Sequence, residues 1–569
     1  MKNQLNIVKH GMTIALIGAL VGCGGGGGVS VPSPTPVAVT PPAPTPVPAP
    51  VPPPLVVYTA ILTSQADNKL QWEIATPLAI TLKDAAGTSL SGTLTCTSGN
   101  AVAIEVEANC ASAKIKRIGA QTITVSNGTA SAALAIKGIP QRQPLLDRND
   151  ISTRGAVTSD GVPWLWGNNF NGQLGQIVAA PLLEQSALPV QPEVAPQTPM
   201  TNIASMSVGD GGFALALTED GEIWSWGGGP LGRGTINSQI TPGKVRNTAN
   251  TGSLTNVVQV SAGSTAGLAL LDDGSVLAWG TYVGQGPSAN GAFPNKVQFA
   301  DGTFLSNAVQ VSGGRAVGFA LTRSGRVFAW GNESDSMAGG TATSSGSIAR
   351  VIQYATPVVD GITLAPLTGI VSIATGGFFN NYALTNAGNV YSWGRQSAAL
   401  GQQVQSSFIG GAARAALVKG VLGTGVLSGI KSISAGFDSA YALTATGDIF
   451  AWGESNNAQL GEGNTVNVVN GSDFPRKVIS ITGTGDLTGM KAIGGAVYGA
   501  VALAPTGDVL NWGADFVGNT GQNRTFGPPP RSIIFLRIPS PVKAASGAGN
   551  LNLGNLNQFK NLARTFPAQ

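Results

Sequence analysis

Histidine is nearly absent from this sequence of 569 residues, and its one copy, His10, lies in an N-terminal segment that we expect to be removed. A mature chain without histidine has no Ser-His-Asp triad, no histidine general base and no histidine metal ligand. Only three cysteines are present, and no Asp-rich spacing of the EF-hand kind occurs, so we expect neither a metal site nor a cofactor. The sequence therefore predicts a protein without a catalytic site, although carboxylate, lysine or tyrosine chemistry stays open.

Charge is also scarce, because Asp, Glu, Lys and Arg together make up 11% of the residues. Removal of residues 1–22 takes away Lys2 and Lys9 but no acid, which leaves 30 basic and 28 acidic residues. A nearly neutral chain lacks the broad basic surface that attracts nucleic acid or anionic lipid. We therefore expect no nucleic-acid partner.

The first 22 residues have the pattern of an export signal, with two lysines ahead of an apolar run, residues 12–21, that is too short to span a bilayer permanently. The run ends in Leu20-Val21-Gly22-Cys23, which resembles the lipobox of bacterial lipoproteins. That resemblance implies that Cys23 is acylated, becomes the first mature residue and anchors the chain in a membrane. An ordinary signal peptide with an incidental cysteine is the alternative. Gly24, where inner-membrane lipoproteins have aspartate, implies an outer-membrane lipoprotein that faces either the periplasm or the cell surface.

Residues 23–54 are predicted to be a Gly/Pro-rich tether. Five glycines, residues 24–28, are followed by twelve prolines within residues 31–54. Proline at this density favours extended polyproline II, which at about 3.1 Å per residue spans roughly 70–75 Å. A disordered linker is the alternative, and in either form the segment is a spacer between the anchor and the domains that follow.

Residues 55–140 predict a small all-β domain, because short strand-like runs such as residues 78–82 and 122–125 are separated by turn signals. The strand rhythm resembles that of bacterial immunoglobulin-like domains, which implies a β-sandwich. Cys96 and Cys110 are the remaining cysteines, and in an exported chain they favour a disulfide. The disulfide would close a loop of about 15 residues and stabilise the domain by roughly 3 kcal/mol.

From residue 151 onward one pattern recurs seven times. Each copy has Leu-Thr or a close variant, a turn that ends in Gly, an alternating strand that ends in Trp-Gly and, in several copies, a Gly-x-Leu-Gly loop. The seven tryptophans are spaced by 60, 53, 51, 63, 59 and 60 residues; they are Trp166, Trp226, Trp279, Trp330, Trp393, Trp452 and Trp512. Each interval holds four short strands with their loops, which is one propeller blade. The alternation places each of these tryptophans in the core, against a neighbouring blade.

This pattern is identified as the RCC1-like repeat, named after the regulator of chromosome condensation. The resemblance implies an all-β fold in which a seven-bladed β-propeller, residues 141–569, follows the small immunoglobulin-like sandwich. The first repeat lacks a clear first strand, and residues 556–562 follow a segment similar to the one that precedes Val257. We therefore expect the C-terminal residues to form the missing strand and to close the ring.

The chain also departs from this family. Blades of the family commonly carry a histidine after the glycine that ends their first strand, whereas this chain has other residues there. The nucleotide-exchange and nucleosome-binding activities of the nuclear members depend on histidine, acidic and basic contacts, and are not expected here. A secreted bacterial β-lactamase inhibitor with an RCC1-like ring, which binds its target through loops on one face, is a closer functional analogue.

Aromatic residues and one arginine in the propeller loops are candidates for partner binding, because such side chains dominate the energy of interfaces. They are Phe170, Tyr282, Arg315, Phe378, Phe379, Phe437 and Phe516. Each could instead pack beneath its own loop. We expect a membrane-anchored binding or scaffold protein outside the cytoplasm, with a protein or glycan as its partner.

Two other classes of function stay open. One is a structural protein of the envelope or of its assembly. The other is a propeller glycosidase or lyase, which needs a pair of carboxylates. Asp272 and Asp273 are adjacent acids, but they lie on a predicted hairpin turn, which we interpret as a solvated turn.

Overall fold

The computed structural model describes residues 57–64, 67–146, 153–175, 183–190, 198–234, 239–286, 291–332, 351–377, 380–395, 398–402, 412–463, 471–516, 518–522, 534–544 and 549–567. The chain divides into two units, Met1–Leu55 and Val56–Gln569, and all described residues belong to the second. Within them, no helix has the length and apolar character needed to cross a bilayer. Cys23 and the tether lie outside the described residues.

The small domain is built from nine strands in three sheets. They are β1 (Thr59–Leu62), β2 (Lys69–Gln71), β3 (Ala75–Pro77), β4 (Ile80–Lys83), β5 (Thr95–Ser98), β6 (Ile104–Val106), β7 (Ser112–Ile115), β8 (Gly119–Ser126) and β9 (Ser131–Ile139). The sheet orders are β2-β9-β8-β5, β3-β7-β6 and β1-β4. Along β9 every second residue is buried, with Ala132, Leu134 and Ile136 facing the core, as a strand with one covered face requires. The likeness to immunoglobulin-like domains stays a prediction.

Cys96 and Cys110 form a disulfide, as predicted. Their Cα atoms lie 5.0 Å apart, and both side chains are buried in the core of the small domain. Cys96 lies on β5, and Cys110 lies in the turn before β7. The bond therefore ties an edge strand of one sheet to a turn of another.

Seven further sheets correspond to the seven repeats. Blade one contains β10 (Thr153–Val157), β11 (Pro163–Asn168) and β12 (Leu183–Pro189); blade two β13 (Ile203–Gly209), β14 (Phe213–Thr218), β15 (Ile223–Gly227) and β16 (Gln239–Lys244); blade three β17 (Val257–Ala262), β18 (Ala266–Leu271), β19 (Val276–Gly280) and β20 (Gly291–Lys296); blade four β21 (Ala308–Gly313), β22 (Val317–Thr322), β23 (Val327–Asn332) and β24 (Val351–Pro357). Blade five contains β25 (Ile370–Thr375), β26 (Asn380–Thr385), β27 (Val390–Gly394) and β28 (Ala412–Leu417); blade six β29 (Ile430–Ala435), β30 (Ser439–Thr444), β31 (Ile449–Gly453) and β32 (Ser472–Lys477); blade seven β33 (Ala492–Ala496), β34 (Gly499–Leu503), β35 (Val509–Asp515) and β36 (Ile534–Pro541). Strands follow chain order within each sheet, and neighbours are antiparallel. Short 3-10 helices lie at Ala398–Leu400, Val421–Gly423 and Leu556–Gln558.

The repeat tryptophans join consecutive blades. All seven are at most 1% exposed, which confirms their predicted place in the core. The indole Nε1 of Trp226 donates to the carbonyl of Gln173 at 2.8 Å, and that of Trp512 donates to the carbonyl of Gln459 at 3.0 Å. Gln173 lies in the Gly-Gln-Leu-Gly of residues 172–175, and Gln459 lies in the matching Ala-Gln-Leu-Gly of residues 458–461, each in the preceding blade. Gly175 has φ +64°, and the Cβ of any other residue there would lie only 2.9 Å from the Trp226 Nε1. Glycine is therefore required for this close contact. Trp-Gly and Gly-x-Leu-Gly are thus two halves of one contact between blades.

The ring does not close as the sequence predicts. Residues 556–562 form no strand, and Leu556–Gln558 is a 3-10 helix. The inner position of blade one is taken by Leu145, which bridges to Ala156 on β10. Residues 141–146, which follow β9 directly, occupy this position in place of the C-terminal residues. The prediction of a C-terminal closing strand was therefore wrong, although the chain just before it does join blades seven and one: Asn552 bridges to Asp508, and the Leu553 carbonyl accepts the Ser159 amide at 2.8 Å.

The last described residues, 555–567, form a segment that we call the C-terminal strap. The Arg564 guanidinium donates to the Leu145 carbonyl and, at 3.2 Å, to the Gln143 side chain. Two residues later, the Phe566 amide donates to the Val371 carbonyl on β25 at 2.6 Å. The strap therefore connects the innermost chain of blade one to the innermost strand of blade five, across the central channel.

Candidate functional site

Strand direction separates the propeller into two faces. First and third strands of each blade end at one edge of the ring, which we call the upper face. The turns from second to third strands and the connections between blades lie at the opposite edge, the lower face. Antiparallel order within each blade makes this division a direct consequence of topology.

Every described binding candidate falls in a loop of the upper face. Phe170, Tyr282 and Phe516 follow third strands, and Arg315 and Phe437 follow first strands. Phe378 and Phe379 follow the first strand of blade five in the sequence, but they lie outside the described residues. A single face therefore carries all the described candidates, which the sequence did not indicate.

Of the described candidates, the structure brings Phe437 and Phe516 together. Phe170 is 60% exposed on blade one, and Tyr282 is 36% exposed on blade three. Phe437 and Phe516 are half-buried and meet through a third ring, Tyr498. The ring centroids are 6.2 Å apart for Phe437 and Tyr498, and 5.1 Å apart for Tyr498 and Phe516. Sequence reasoning missed Tyr498, although its place after the first strand of blade seven matches that of Phe437 in blade six.

Two carboxylates adjoin these rings. Asp438 follows Phe437 directly, and Glu454 follows the third strand of blade six. The Glu454 amide donates to the Asp438 carbonyl at 2.8 Å, which holds the two residues side by side. Phe437, Asp438, Glu454, Tyr498 and Phe516 together form what we call the aromatic–acidic site.

Burial and mutual repulsion perturb the ionisation of this site. Burial, followed by the charge of Glu454, raises the pKa of Asp438 to about 7, and the Arg395 guanidinium opposes that rise. Burial also raises the pKa of Glu454. Burial and then the charges of Asp438 and Glu454 raise the pKa of Tyr498. These shared effects place the rings and the carboxylates in one electrostatic environment.

The composition of the site suits a cationic or aromatic group of a partner. Ring faces attract cations, and a carboxylate that is short of solvent gains from a nearby positive charge. Carboxylates with perturbed pKa values are also a general indicator of functional sites. Among the described residues, no group of three or more His, Cys, Asp or Glu side chains is placed to hold a metal ion.

The lower face is covered by the small domain at blades two to four. Lys69 pairs with Glu219 at 2.6 Å, Arg117 pairs with Asp272 at 3.1 Å, and Arg323 pairs with Glu73 at 2.7 Å. The three carboxylates are between 4% and 9% exposed. Burial raises the pKa of Glu73, but the hydrogen bonds and the charges of Arg323 and Lys114 together hold it below its usual value.

Asp272 therefore is not the solvated turn that the sequence indicated. Its carboxylate accepts the Ile118 amide at 3.0 Å as well as the Arg117 guanidinium. Burial raises the pKa of Asp272 against these contacts. Its neighbour Asp273 is exposed and accepts the Ser275 amide within its own turn. The two acids thus face different surroundings and form no catalytic pair.

Comparison with known proteins identifies the repeats. Models of the "Regulator of chromosome condensation (RCC1) repeat" match residues 220–270 and 446–495, and a second model of the same description matches residues 430–459. The chain therefore contains RCC1 repeats.

Curated relatives include the mitochondrial RCC1 domain-containing protein RUG3 of Arabidopsis thaliana, 27% identical over 54% of this chain and 64% of that protein. The ultraviolet-B receptor UVR8 of Arabidopsis thaliana is 26% identical over 44% of this chain and 54% of its own length. The human E3 ubiquitin-protein ligase HERC2 is 26% identical over 58% of this chain and 6% of its own length. The chain thus spans less than two thirds of each of these relatives.

Among solved structures, human WBSCR16 has a TM-score of 0.51 at 20% identity, over 66% of this chain and 92% of that one. Prp20p from Saccharomyces cerevisiae has a TM-score of 0.49 at 20% identity, over 71% and 88% of the two chains. At this identity the likeness to WBSCR16 concerns the fold alone. The fold is an RCC1-like β-propeller.

Proposed function

We propose that this chain is a membrane-anchored binding or scaffold protein that engages a protein or glycan partner with the upper face of its propeller. The observation that carries the proposal is the asymmetry of the ring. The small domain covers the lower face at blades two to four, whereas the upper face presents the aromatic–acidic site together with the exposed Phe170 and Tyr282.

Energetic reasoning supports this use of the upper face. Half-buried aromatic side chains lose little conformational freedom on binding and dominate the energy of many interfaces. A carboxylate such as Asp438, which burial and Glu454 keep from ionising easily, costs the free protein stability that a cationic partner would restore. The named relatives include a ubiquitin ligase and a light receptor, so the repeats alone specify no shared activity, and we base the proposal on the site.

The membrane part of the proposal is based on the sequence. Acylation of Cys23 would anchor the chain, and the tether would separate the folded domains from the anchor. The proposed location is the outer membrane, with the propeller in the periplasm or on the cell surface. Metabolic labelling with a palmitate analogue, compared between the natural chain and Cys23→Ser, tests the anchor. Protease digestion of intact cells distinguishes the two orientations.

Photo-crosslinking in intact cells tests the binding face. A photoreactive phenylalanine analogue at Phe516 should give one recurrent crosslinked species. The same analogue at Phe304, which is 53% exposed in the lower-face connection between blades three and four, should not. Equal labelling from both positions would remove the case for the upper face.

A triple variant tests the energy of the site. Changing Phe437, Tyr498 and Phe516 to Ser should abolish the crosslink formed from a probe at Phe170, if one partner spans the face. Phe304→Ser, on the lower face, is the matched control. A glycan array with the same variants separates a glycan partner from a protein partner.

Carboxylate chemistry is the second candidate, because an acid whose pKa is raised to about 7 lies beside another carboxylate. Such a pair could cleave glycosidic bonds. Turnover of a glycoside panel that disappears in Asp438→Asn would favour this candidate. A structural role in the envelope is favoured instead if no partner or glycan is bound by the upper face.

A further inference from the structure

The connections between blades share one hairpin turn on the lower face. The turn is closed by backbone hydrogen bonds, from Asp360 to Ala365 at 2.9 Å in one connection and from Ser480 to Gly485 at 2.9 Å in another. Within each turn, one residue donates its amide back to the start and adopts a left-handed conformation. That residue is Asn250, Gly302, Leu364, Gly423 and Gly483 in five successive connections.

Two leucines in these turns adopt the left-handed conformation. Leu364 has φ 61°, and Leu422, which precedes Gly423 in the next connection, has φ 57°. L-residues with bulky side chains avoid this region, whereas Gly and Asn tolerate it. The sister turns, with Asn250, Gly302 and Gly483, show that the hairpin itself does not require a leucine.

Packing does not compensate for this strain. The Leu364 side chain is 52% exposed and the Leu422 side chain is 76% exposed. Their neighbours extend the apolar surface: Ile362 is 89% exposed, Val421 is 43% exposed, and Ile481 in the following turn is 54% exposed. We call Ile362, Leu364, Val421, Leu422 and Ile481 the apolar rim. Strain retained at an exposed apolar side chain points to a role outside the folded monomer.

The rim lies away from the surfaces already described. Its first turn packs on the outer strand of blade five, where the Gly361 amide donates to the Ala415 carbonyl at 2.8 Å. The small domain contacts the turns of blades two to four, and the aromatic–acidic site opens on the opposite face. The rim is therefore the part of the lower face at blades five to seven that the small domain leaves uncovered.

Lysines lie beside the apolar rim. Lys419 lies in the turn of Leu422, and Lys431 and Lys491 are exposed at the starts of the first strands of blades six and seven. Acids lie among these lysines, so the surface here is mixed in charge. Asp360 accepts the Ile362 and Thr363 amides of its own turn, and Asp486 pairs with Lys477 at 2.9 Å.

We propose that the apolar rim inserts into the lipid–water interface of the membrane that carries the chain. The apolar side chains are on tips of separate, convex turns, and a fluid interface accepts such tips without a preformed pocket, whereas a protein partner needs a matching recess for each. Exposed lysines beside apolar tips favour phospholipid headgroups. This inference rests on the proposed membrane anchor, which would keep the rim near the bilayer at high effective concentration.

Vesicle flotation of the mature chain with Cys23→Ser tests the rim without the acyl anchor. The vesicles contain phosphatidylethanolamine and phosphatidylglycerol in a three to one ratio, a composition chosen as about that of a bacterial membrane with an anionic surface. The natural rim should float with the vesicles. The variant Ile362→Ser/Leu364→Asn/Leu422→Asn should lose about tenfold or more of its partitioning, because three exposed apolar side chains are removed. Ile240→Ser, which removes a 52% exposed side chain from the outer strand of blade two, should not change it.

Stability provides the second readout. Leu364→Asn and Leu422→Asn should raise Tm or leave it unchanged, because Asn tolerates the left-handed backbone. A lower Tm would show that the leucines serve the fold and would overturn the proposal. So would flotation that is equal in the natural and variant rims, or a rim-dependent dimer in sedimentation velocity, since a second copy would then cover the surface. If the natural chain takes up no acyl label, the proposed anchor at Cys23 is wrong. The flotation result still decides whether the apolar rim binds the membrane.

Discussion

Asp438→Asn should stabilise the folded protein at neutral and alkaline pH. Burial and the neighbouring Glu454 raise the pKa of Asp438 from 3.8 to about 7. The folded state therefore binds a proton that the unfolded state has already released between these two values. The ionisable side chain thus makes the protein progressively less stable as pH rises from about 4 to about 7, and the loss is complete above that window.

The size of the effect follows from the pKa difference. A difference of about three units corresponds to at most about 4 kcal/mol. Because the carboxyl retains some contact with solvent, we expect about 1–3 kcal/mol at pH 8. Asparagine has nearly the same shape and no charge, so its advantage should be close to zero near pH 4 and should grow across the window.

Chemical denaturation at pH 4, 5, 6, 7 and 8 measures the free energy of unfolding of both proteins. Asp360→Asn is the control with the opposite sign. Burial alone would raise the pKa of Asp360, but hydrogen bonds from its own turn lower it. The ionised carboxylate therefore stabilises the fold, and Asp360→Asn should be less stable than the natural protein at neutral pH. A stability difference between natural protein and Asp438→Asn that is independent of pH would refute the reasoning. The same result would remove the energetic argument for the aromatic–acidic site.

Changing both Cys96 and Cys110 to Ser should lower the free energy of unfolding by roughly 3 kcal/mol, because the unfolded chain regains the entropy of an open loop; an unchanged Tm under non-reducing conditions would contradict this. Glu73→Ala should cost about 1–3 kcal/mol at pH 7, because Arg323 loses its buried partner. The pKa of Glu73 is lowered in the folded state, so its carboxylate stabilises the fold only while it is ionised. The cost of Glu73→Ala should therefore disappear as the pH falls through the folded-state pKa, which pH-dependent denaturation measures. Deletion of residues 556–569 should cost at least about 2 kcal/mol and broaden the transition, because the strap bonds of blades one and five are lost; differential scanning calorimetry measures both, and a superimposable trace would show that the strap is dispensable.

Local signals in the sequence were sufficient for much of the fold. A strand exposes alternate residues on its two faces, and a tight turn needs Gly or Asx, so each repeat after the first carries its own pattern of four strands. Seven copies of Trp-Gly gave seven blades, and each tryptophan is buried as that pattern requires. The pairing of Cys96 with Cys110 followed because an exported chain with two such cysteines favours one disulfide.

Signals of the same local kind did not identify the aromatic–acidic site. Phe437 and Phe516 were candidates by residue type, but Tyr498 and the two carboxylates were not, since none stands out in its own repeat. Their proximity arises because loops of blades six and seven are adjacent in the ring. Knowledge that first and third strands end on one face would have predicted that proximity.

The sequence by itself thus determined the elements that repeat, since their cause lies within about sixty residues of chain. Only the tertiary structure decided how the ring closes, where the small domain docks and which loops meet. Those outcomes depend on contacts between residues hundreds of positions apart, such as Gln71 with Gln558. The inner edge of blade one is likewise occupied by residues 141–146, which follow the last strand of the small domain, and contacts along the chain near blade one do not reveal this.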